Sequence, residues 1–502
     1  MTTQELLAKA REYVRDLRYL EFFDNVTYYD RWCACPTAGF DWESEAGAYV
    51  ERLRGELLDR CDVRDVVEGL RALADKDFPS DLDRGVARYL VRRYDDTHTL
   101  PETLRSELGR ANAECQRGWE ECYQADDFKA FLPYLRREFE VFSRIADALD
   151  PAARPFQVLL DRFGTGYAVE QVDGFFSQVK AAVPHILEES AAFWEGVDEH
   201  VLDLAEADRT RHVEDALLRA AQRAIGADPA RITNFRVHHP VSVMMGPSDS
   251  RASTFSDPAV PLFHLVTTIC HESGHSMYSY SSSPEVQAAG IWGGIDGTMH
   301  ESQSRFMENH VCRSPEFWEA MEPALRELLP SLADVPIEQV VLALNKPAPG
   351  PLRQLADELT YPLHIIVRYE MERDYFDGRL ALEDFEDAWD ARYEELLGVR
   401  PRDRREGILQ DVHWSSGWIG YFQGYALGDM YGAQYEHALR RDVPDAFERL
   451  AAGDPTGVRG WFEDHIWCNG QTYTATEQLR LATGEDLNVQ YYLDYLRARY
   501  LR

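Results

Sequence analysis

Along most of this chain apolar residues return every three or four positions, the spacing that places them on one face of an α-helix. Between residues 5 and 19, Leu6, Ala10, Tyr13, Val14 and Leu17 fall on one side. The same period predicts helices over residues 101–123, 131–149 and 169–194. In the second of these Leu135, Phe139 and Phe142 share a face, and Pro133 sits in the first turn, where its missing N–H costs little. A period of two replaces the helical one only over residues 235–255, around Pro240, Gly246 and Pro247, and predicts a small antiparallel sheet. Helix resumes near Leu262 and predominates to the end, with residues 346–351 read as a turn leading into a helix. No repeat or long linker divides the chain. The expected fold is mainly α, a single large helical body over residues 1–502 with a small antiparallel sheet. Residues 1–230 form a helical N-terminal half, and residues 231–502 carry the chemistry.

Composition removes several classes of function. Lys and Arg number 53 against 87 Asp and Glu, a formal charge of −34. Nucleic-acid binding needs clustered positive charge, so nucleic acid is excluded as a partner, as is an anionic membrane surface. No apolar run is long enough to span a bilayer, and the first twenty or so residues lack the apolar centre of a secretion signal. The eight cysteines are scattered without a Cys-x-x-Cys. Reduced structural thiols and a cytoplasmic location are expected. The one close pair, Cys33 and Cys35, is read as incidental.

The chemistry is concentrated in His271-Glu272-Ser273-Gly274-His275, an H-E-x-x-H pattern within predicted helix 263–280. Residues four apart share a helical face, so both imidazoles reach one ion at the usual zinc–nitrogen distance of about 2.0–2.1 Å. Glu272 lies where a carboxylate can take a proton from water activated by such an ion. A second predicted helix opens with His300-Glu301-Ser302-Gln303. Glu301 is the candidate third ligand, which leaves a coordination position open, as a catalytic site requires. Read from spacing alone, Glu301 is equally an ordinary helix-face acid.

These motifs resemble those of the thermostable carboxypeptidase Taq family of metallocarboxypeptidases. Five short blocks occur in the family's order: Asp249 to Ser253, His271 to His275, His300 to Gln303, Leu352 to Asp357, and Gly407 to Trp414. The resemblance implies a mostly helical body with a deep groove leading to the metal. It also implies a homodimer and removal of single residues from the free C-terminus of a peptide. By resemblance, His271, His275 and Glu301 hold one divalent ion, zinc first, with cobalt or manganese as alternatives, and Glu272 is the general base. Arg353 is the first candidate for the substrate's carboxylate and Arg251 the second, since a guanidinium offers a planar two-point fork. Arg353 could instead pair with Asp357 one helical turn on, and Arg251 could hold the sheet beside Asp249. His413 and Tyr421 are candidates for stabilising the oxyanion. Tyr421 could equally serve as core packing. His300 is expected to support a ligand and Gln303 the helix.

The sequence departs from the family at three places. Ser253 stands for Thr; Gln423-Gly424 stands for Pro-x before Tyr425; and Phe22 to Thr27 replaces a Trp-Asp-Gln block. Glycine at 424 is expected to loosen the backbone. Two further readings follow: an oligopeptidase or specialised amide hydrolase on the same scaffold, and a non-catalytic peptide-binding protein with a structural metal.

Overall fold

A computed structural model describes residues 1–164 and 166–502. The chain opens with α1 (Thr3–Cys33) and α2 (Phe40–Leu58), which form a helical arm. The first half of α1 buries Leu6, Ala10, Tyr13 and Val14 with Val66, Val86 and Leu90 in a small core of their own, joined by Ile291 and Trp292. Beyond Arg18 the buried face of α1 gives out, and Phe22, Phe23, Val26, Tyr28 and Trp32 are exposed.

After two helices, Cys61–Arg71 and Asp81–His98, that complete this small core come α3 (Glu102–Ala125) and α4 (Phe128–Leu149). Asp127 caps α4 by accepting from the Ala130 N–H at 3.0 Å. Because α4 starts at Phe128, Pro133 falls in the second turn rather than the first. The carbonyl it leaves without a helical partner belongs to Lys129, an exposed residue. The long helix α5 (Val169–Glu195) leads towards the sheet.

The sheet has three strands, β1 (Ile232–Val237), β2 (Ser242–Gly246) and β3 (Asp249–Phe255), in the order β1-β3-β2. It is mixed rather than purely antiparallel. β3 runs antiparallel to β2, with Ser242 opposite Ala252, and parallel to β1, with Ile232 opposite Ser250. The turn at Pro240 leaves a gap one strand wide between β1 and β2, and the tight turn after Gly246 sends β3 back into it. Alternation of side chains marks the faces of each strand but carries no information about which strand lies next to which.

The remaining body is helical. α6 (Leu262–Tyr280) carries the H-E-x-x-H pattern, and α7 (Gly297–Arg305) carries Glu301 and runs on as a π-helical stretch, Phe306–Cys312. Then follow α8 (Tyr361–Phe376) and α9 (Gln423–Asp442). One core joins residues from Cys115 to Tyr500, with α6, α8 and α9 buried along most of their lengths. No helix among the described residues is long and apolar enough to cross a membrane.

Candidate metal centre

The site is set by how closely three helices approach. Gly274, inside the H-E-x-x-H pattern, faces α7, where a Cβ would meet the Gln303 carbonyl and the Ser304 Cα at 2.7 Å. On the other side of α7, a Cβ on Gly428 of α9 would lie 2.8 Å from the Glu301 Cβ. Gly424 and Gly432 continue that face one turn either way, against Thr298 and His310. The helix bearing Glu301 is thus held backbone to backbone between α6 and α9. Gly424 does not loosen the chain: it lies inside a helix and spends its missing side chain on a close contact.

This packing brings the three proposed ligands together. The ligand atoms of His271, His275 and Glu301 all lie within 4.8 Å of one another. His271 Nε2 is 3.8 Å from one Glu301 oxygen and His275 Nε2 is 3.9 Å from the other. The imidazoles keep 19% and 15% of their side-chain surface accessible, so the face they share opens to solvent. Two ring nitrogens and a carboxylate, aimed at one point with an open side, fit a divalent ion with a free coordination position. Burial alone would lower His271, but its hydrogen bond to Glu308 and the charges of Glu301, Glu308 and Glu272 outweigh it and raise the ring to about 9. Burial, joined by the charges of His271 and His300, drives His275 well below its ordinary value. Ion binding needs both rings neutral at the ligating nitrogen, so it displaces the proton His271 carries.

Supporting contacts orient the His271 ring. His271 Nδ1 pairs with Glu308 Oε2 at 2.9 Å, which leaves Nε2 for the ion. Arg305 Nη1 donates to the same oxygen at 2.9 Å and its Nε donates to Asp429 of α9 at 2.8 Å. Burial opposes the charge on Glu308, yet Arg305 and His271 hold it well below the usual carboxylate range. His275 has no hydrogen-bond partner at Nδ1 and is held by packing, with His271 and His300 rings 4.9 and 5.4 Å away. His300 is half-buried, its ring against those of His275 and Tyr278. Gln303 accepts from the Trp467 indole at 2.8 Å and so braces α7.

Glu272 is buried beside the ligands. Ser242 of β2 donates to its Oε2 at 2.6 Å, which is how the sheet reaches the site. Burial pushes the Glu272 carboxyl up to about 7, against the pull of His271 and of the Ser242 hydrogen bond. A carboxyl poised there can both accept and return a proton near neutral pH.

A second cluster gathers the other blocks. Arg353 lies on a short 3-10 turn, Arg353–Leu355, not on a helix, and does not pair with Asp357. Its Nη2 and Nε donate to Asp411 Oδ1 at 2.7 and 3.0 Å, its Nη1 donates to the Tyr361 hydroxyl at 3.3 Å, and its backbone N–H donates to Gln410. Asp357 instead caps the turn at Thr360. Arg368 of α8, fully buried, donates to the other Asp411 oxygen and leaves Nη2 without a partner. Two guanidiniums share one carboxylate, so the cluster keeps a surplus positive charge. The Arg353 guanidinium also lies 5.3 Å over the Tyr425 ring. Tyr425 Oη is 3.3 Å from His413 Nε2. Burial, with Arg353 adding to it, pushes His413 down to about 3 despite Asp411, so the ring is neutral. Burial raises the Tyr421 and Tyr425 phenols, and the Glu301 charge raises them further, which places both within electrostatic reach of the ligands. The Tyr421 ring packs at Gly297, the first residue of α7.

Arg251 is not brought into this cluster. It pairs two-pronged with Asp249 at 2.9 and 3.0 Å and lies over the Tyr29 ring of α1. It faces a cavity of about 470 Å³ between the arm and the sheet, lined also by Phe22, Asp30 and Glu43. The sequence does not mark Glu308, Asp429, Arg368 or Tyr425 as parts of the site, and Asp411 falls within the Gly407 to Trp414 block without an evident role. Only Glu308 left a readable signal, two turns after Glu301 on the same helical run.

A family model described as carboxypeptidase Taq (M32) metallopeptidase matches residues 9–500. Carboxypeptidase 1 of Bacillus subtilis is 31% identical over 410 residues, 82% of this chain and 81% of the relative. Thermostable carboxypeptidase 1 of Pyrococcus furiosus is 29% identical over 500 residues, covering 100% of this chain and 98% of the relative. The solved structure of the M32 carboxypeptidase from Deinococcus radiodurans R1 superposes with a TM-score of 0.91 at 26% identity, covering 99% of each chain.

Proposed function

The chain belongs to the carboxypeptidase Taq (M32) metallopeptidase family and is a metallocarboxypeptidase, and from that premise we propose that His271, His275 and Glu301 hold its metal, Glu272 is its general base, and Arg353 binds the free carboxylate of the peptide. The reading as a non-catalytic binding protein falls with that membership. The observation that carries the proposal is the buried carboxyl of Glu272 beside three converging donors with an open face.

A divalent ion at those donors supplies Lewis acidity that polarises a carbonyl and acidifies water. Zinc is the first choice for two imidazoles and a carboxylate, with cobalt or manganese as alternatives. The chain's own groups do the rest. The surplus positive charge of Arg353 and Arg368 over Asp411 attracts the terminal carboxylate, and Asp411 and Gln410 keep the Arg353 fork fixed. Glu272 accepts the proton of the attacking water and returns it to the leaving amine. His413 is neutral, and Tyr421 stays protonated, so each offers a hydrogen-bond donor to the developing oxyanion without carrying charge of its own. Tyr425, which pairs with His413, is the added member of this set. Arg251 is given no part in binding the carboxylate; it ties the arm to the sheet. The working form is proposed as a cytoplasmic homodimer acting on peptides, with neither nucleic acid nor membrane as partner.

The test compares one peptide with a free C-terminus and the same peptide amidated. The wild type is expected to cleave the free form strongly in preference, and Arg353→Gln to lose most of that preference. Equal cleavage of both by the wild type would favour an oligopeptidase instead.

A further inference from the structure

The turn that joins α1 to α2 brings three metal-ligating groups together far from the H-E-x-x-H helix in sequence. Asp30 is in the last turn of α1, Cys35 follows its end, and Glu43 is in the first turn of α2. Their ligand atoms lie within 4.8 Å of one another, the spacing also met by His271, His275 and Glu301.

Glu43 is the unusual member. It is only 9% exposed, and neither carboxylate oxygen accepts a hydrogen bond. A carboxylate removed from water without donors is strongly destabilising. Its cationic neighbour is Arg31, with Nη1 3.5 Å away. That nitrogen donates instead to Ser44 Oγ at 3.2 Å, and the guanidinium lies over the Phe40 ring. Cys35 Sγ has only a long contact, 3.6 Å, to the Pro36 carbonyl. The cavity of about 470 Å³ reaches both Asp30 and Glu43, giving entry and room for water.

We propose that Asp30, Cys35 and Glu43 form a second divalent-cation site, which pins the end of α1 to the start of α2. One thiolate with two carboxylates suits a borderline-soft ion of the zinc kind rather than calcium or magnesium, and water from the cavity completes a four-coordinate shell. Sulfur ligates as the thiolate, so binding would displace the thiol proton. The consequence is mechanical. The arm reaches the sheet through Asn25, which donates to the Met244 carbonyl at 2.7 Å, and through Tyr29, whose ring packs on Phe235. An ion at the arm's tip holds both helices while these contacts hold its side.

The test uses Co²⁺ titrated into the full metal-free protein. The group of His271, His275 and Glu301 contains no sulfur, so a thiolate-to-cobalt charge-transfer band reports the arm alone. The band is expected in the wild type, in Cys33→Ser and in Glu301→Gln. It should vanish in Cys35→Ser and need about tenfold or more Co²⁺ in Glu43→Gln. No band at saturating Co²⁺, or a band that survives Cys35→Ser unchanged, overturns the proposal. Far-ultraviolet circular dichroism on each variant confirms that the fold is kept. Because catalysis is not the readout, failure here leaves the reading of the catalytic centre standing.

Discussion

The helices around the proposed metal ligands and the arm that begins the chain are both helical, yet they are built by opposite means. α7 is clamped between glycine faces of α6 and α9, and its charged groups are tied across helices through Glu308, Arg305 and Asp429. In the arm, Phe23, Trp32, Trp42 and Tyr49 remain 46–77% exposed. The contrast teaches where tolerance lies. Ligand atoms must meet within a few tenths of an ångström, so their helices touch backbone to backbone, and His271 is further oriented by Glu308. The arm carries no such demand along its length, and one of the three departures from the family pattern, Phe22 to Thr27, falls there.

Four substitutions probe that contrast, from the most to the least damaging. Glu272→Gln removes the base and leaves the ligands, so kcat is expected to fall about a thousandfold while bound metal stays at one equivalent at the triad. Turnover near the wild-type rate would end the assignment of Glu272. Glu308→Gln frees the His271 ring from its charged partner, and the triad's metal affinity should drop about 10–100-fold in a chelator competition. An unchanged affinity would mean that packing alone orients His271. Gly428→Ala forces a methyl group against Glu301 and should cost about 1–3 kcal/mol in denaturant unfolding, with looser metal binding. If stability holds, the helices are less tightly clamped than the contacts imply. Trp42→Ser, on the exposed side of the arm, should change stability by no more than about 0.5 kcal/mol. A larger loss would erase the difference between the two regions.

Much of this was legible in the sequence, for identifiable reasons. Helical periodicity is a local signal, so α1, α3, α4, α5 and α6 could be placed from apolar spacing. His271, Glu272 and His275 announce themselves because a helix fixes their mutual positions. Strand neighbours do not follow from alternation, which is why the parallel pairing of β1 with β3 was hidden. Pairings across long separations were hidden too. Arg353 reads as a helical partner of Asp357, but the turn at Arg353–Leu355 breaks that geometry and Asp411 takes its place. Gly424 reads as looseness, because a sequence shows the freedom of glycine and not the neighbour that uses its missing Cβ. The same holds for Cys35, which is incidental by spacing and acquires Asp30 and Glu43 as neighbours only through the turn of the arm.

The glycine clamp on α7 has a consequence for any attempt to retune the centre. With Gly274 on one side and Gly428 on the other, the helix axis behaves as a fixed gauge that cannot be shifted by repacking side chains. The adjustable quantity left is the length of the arm that residue 301 extends from that axis. Shortening it to aspartate, rather than moving helices, is the available route to a centre that selects an ion of different size.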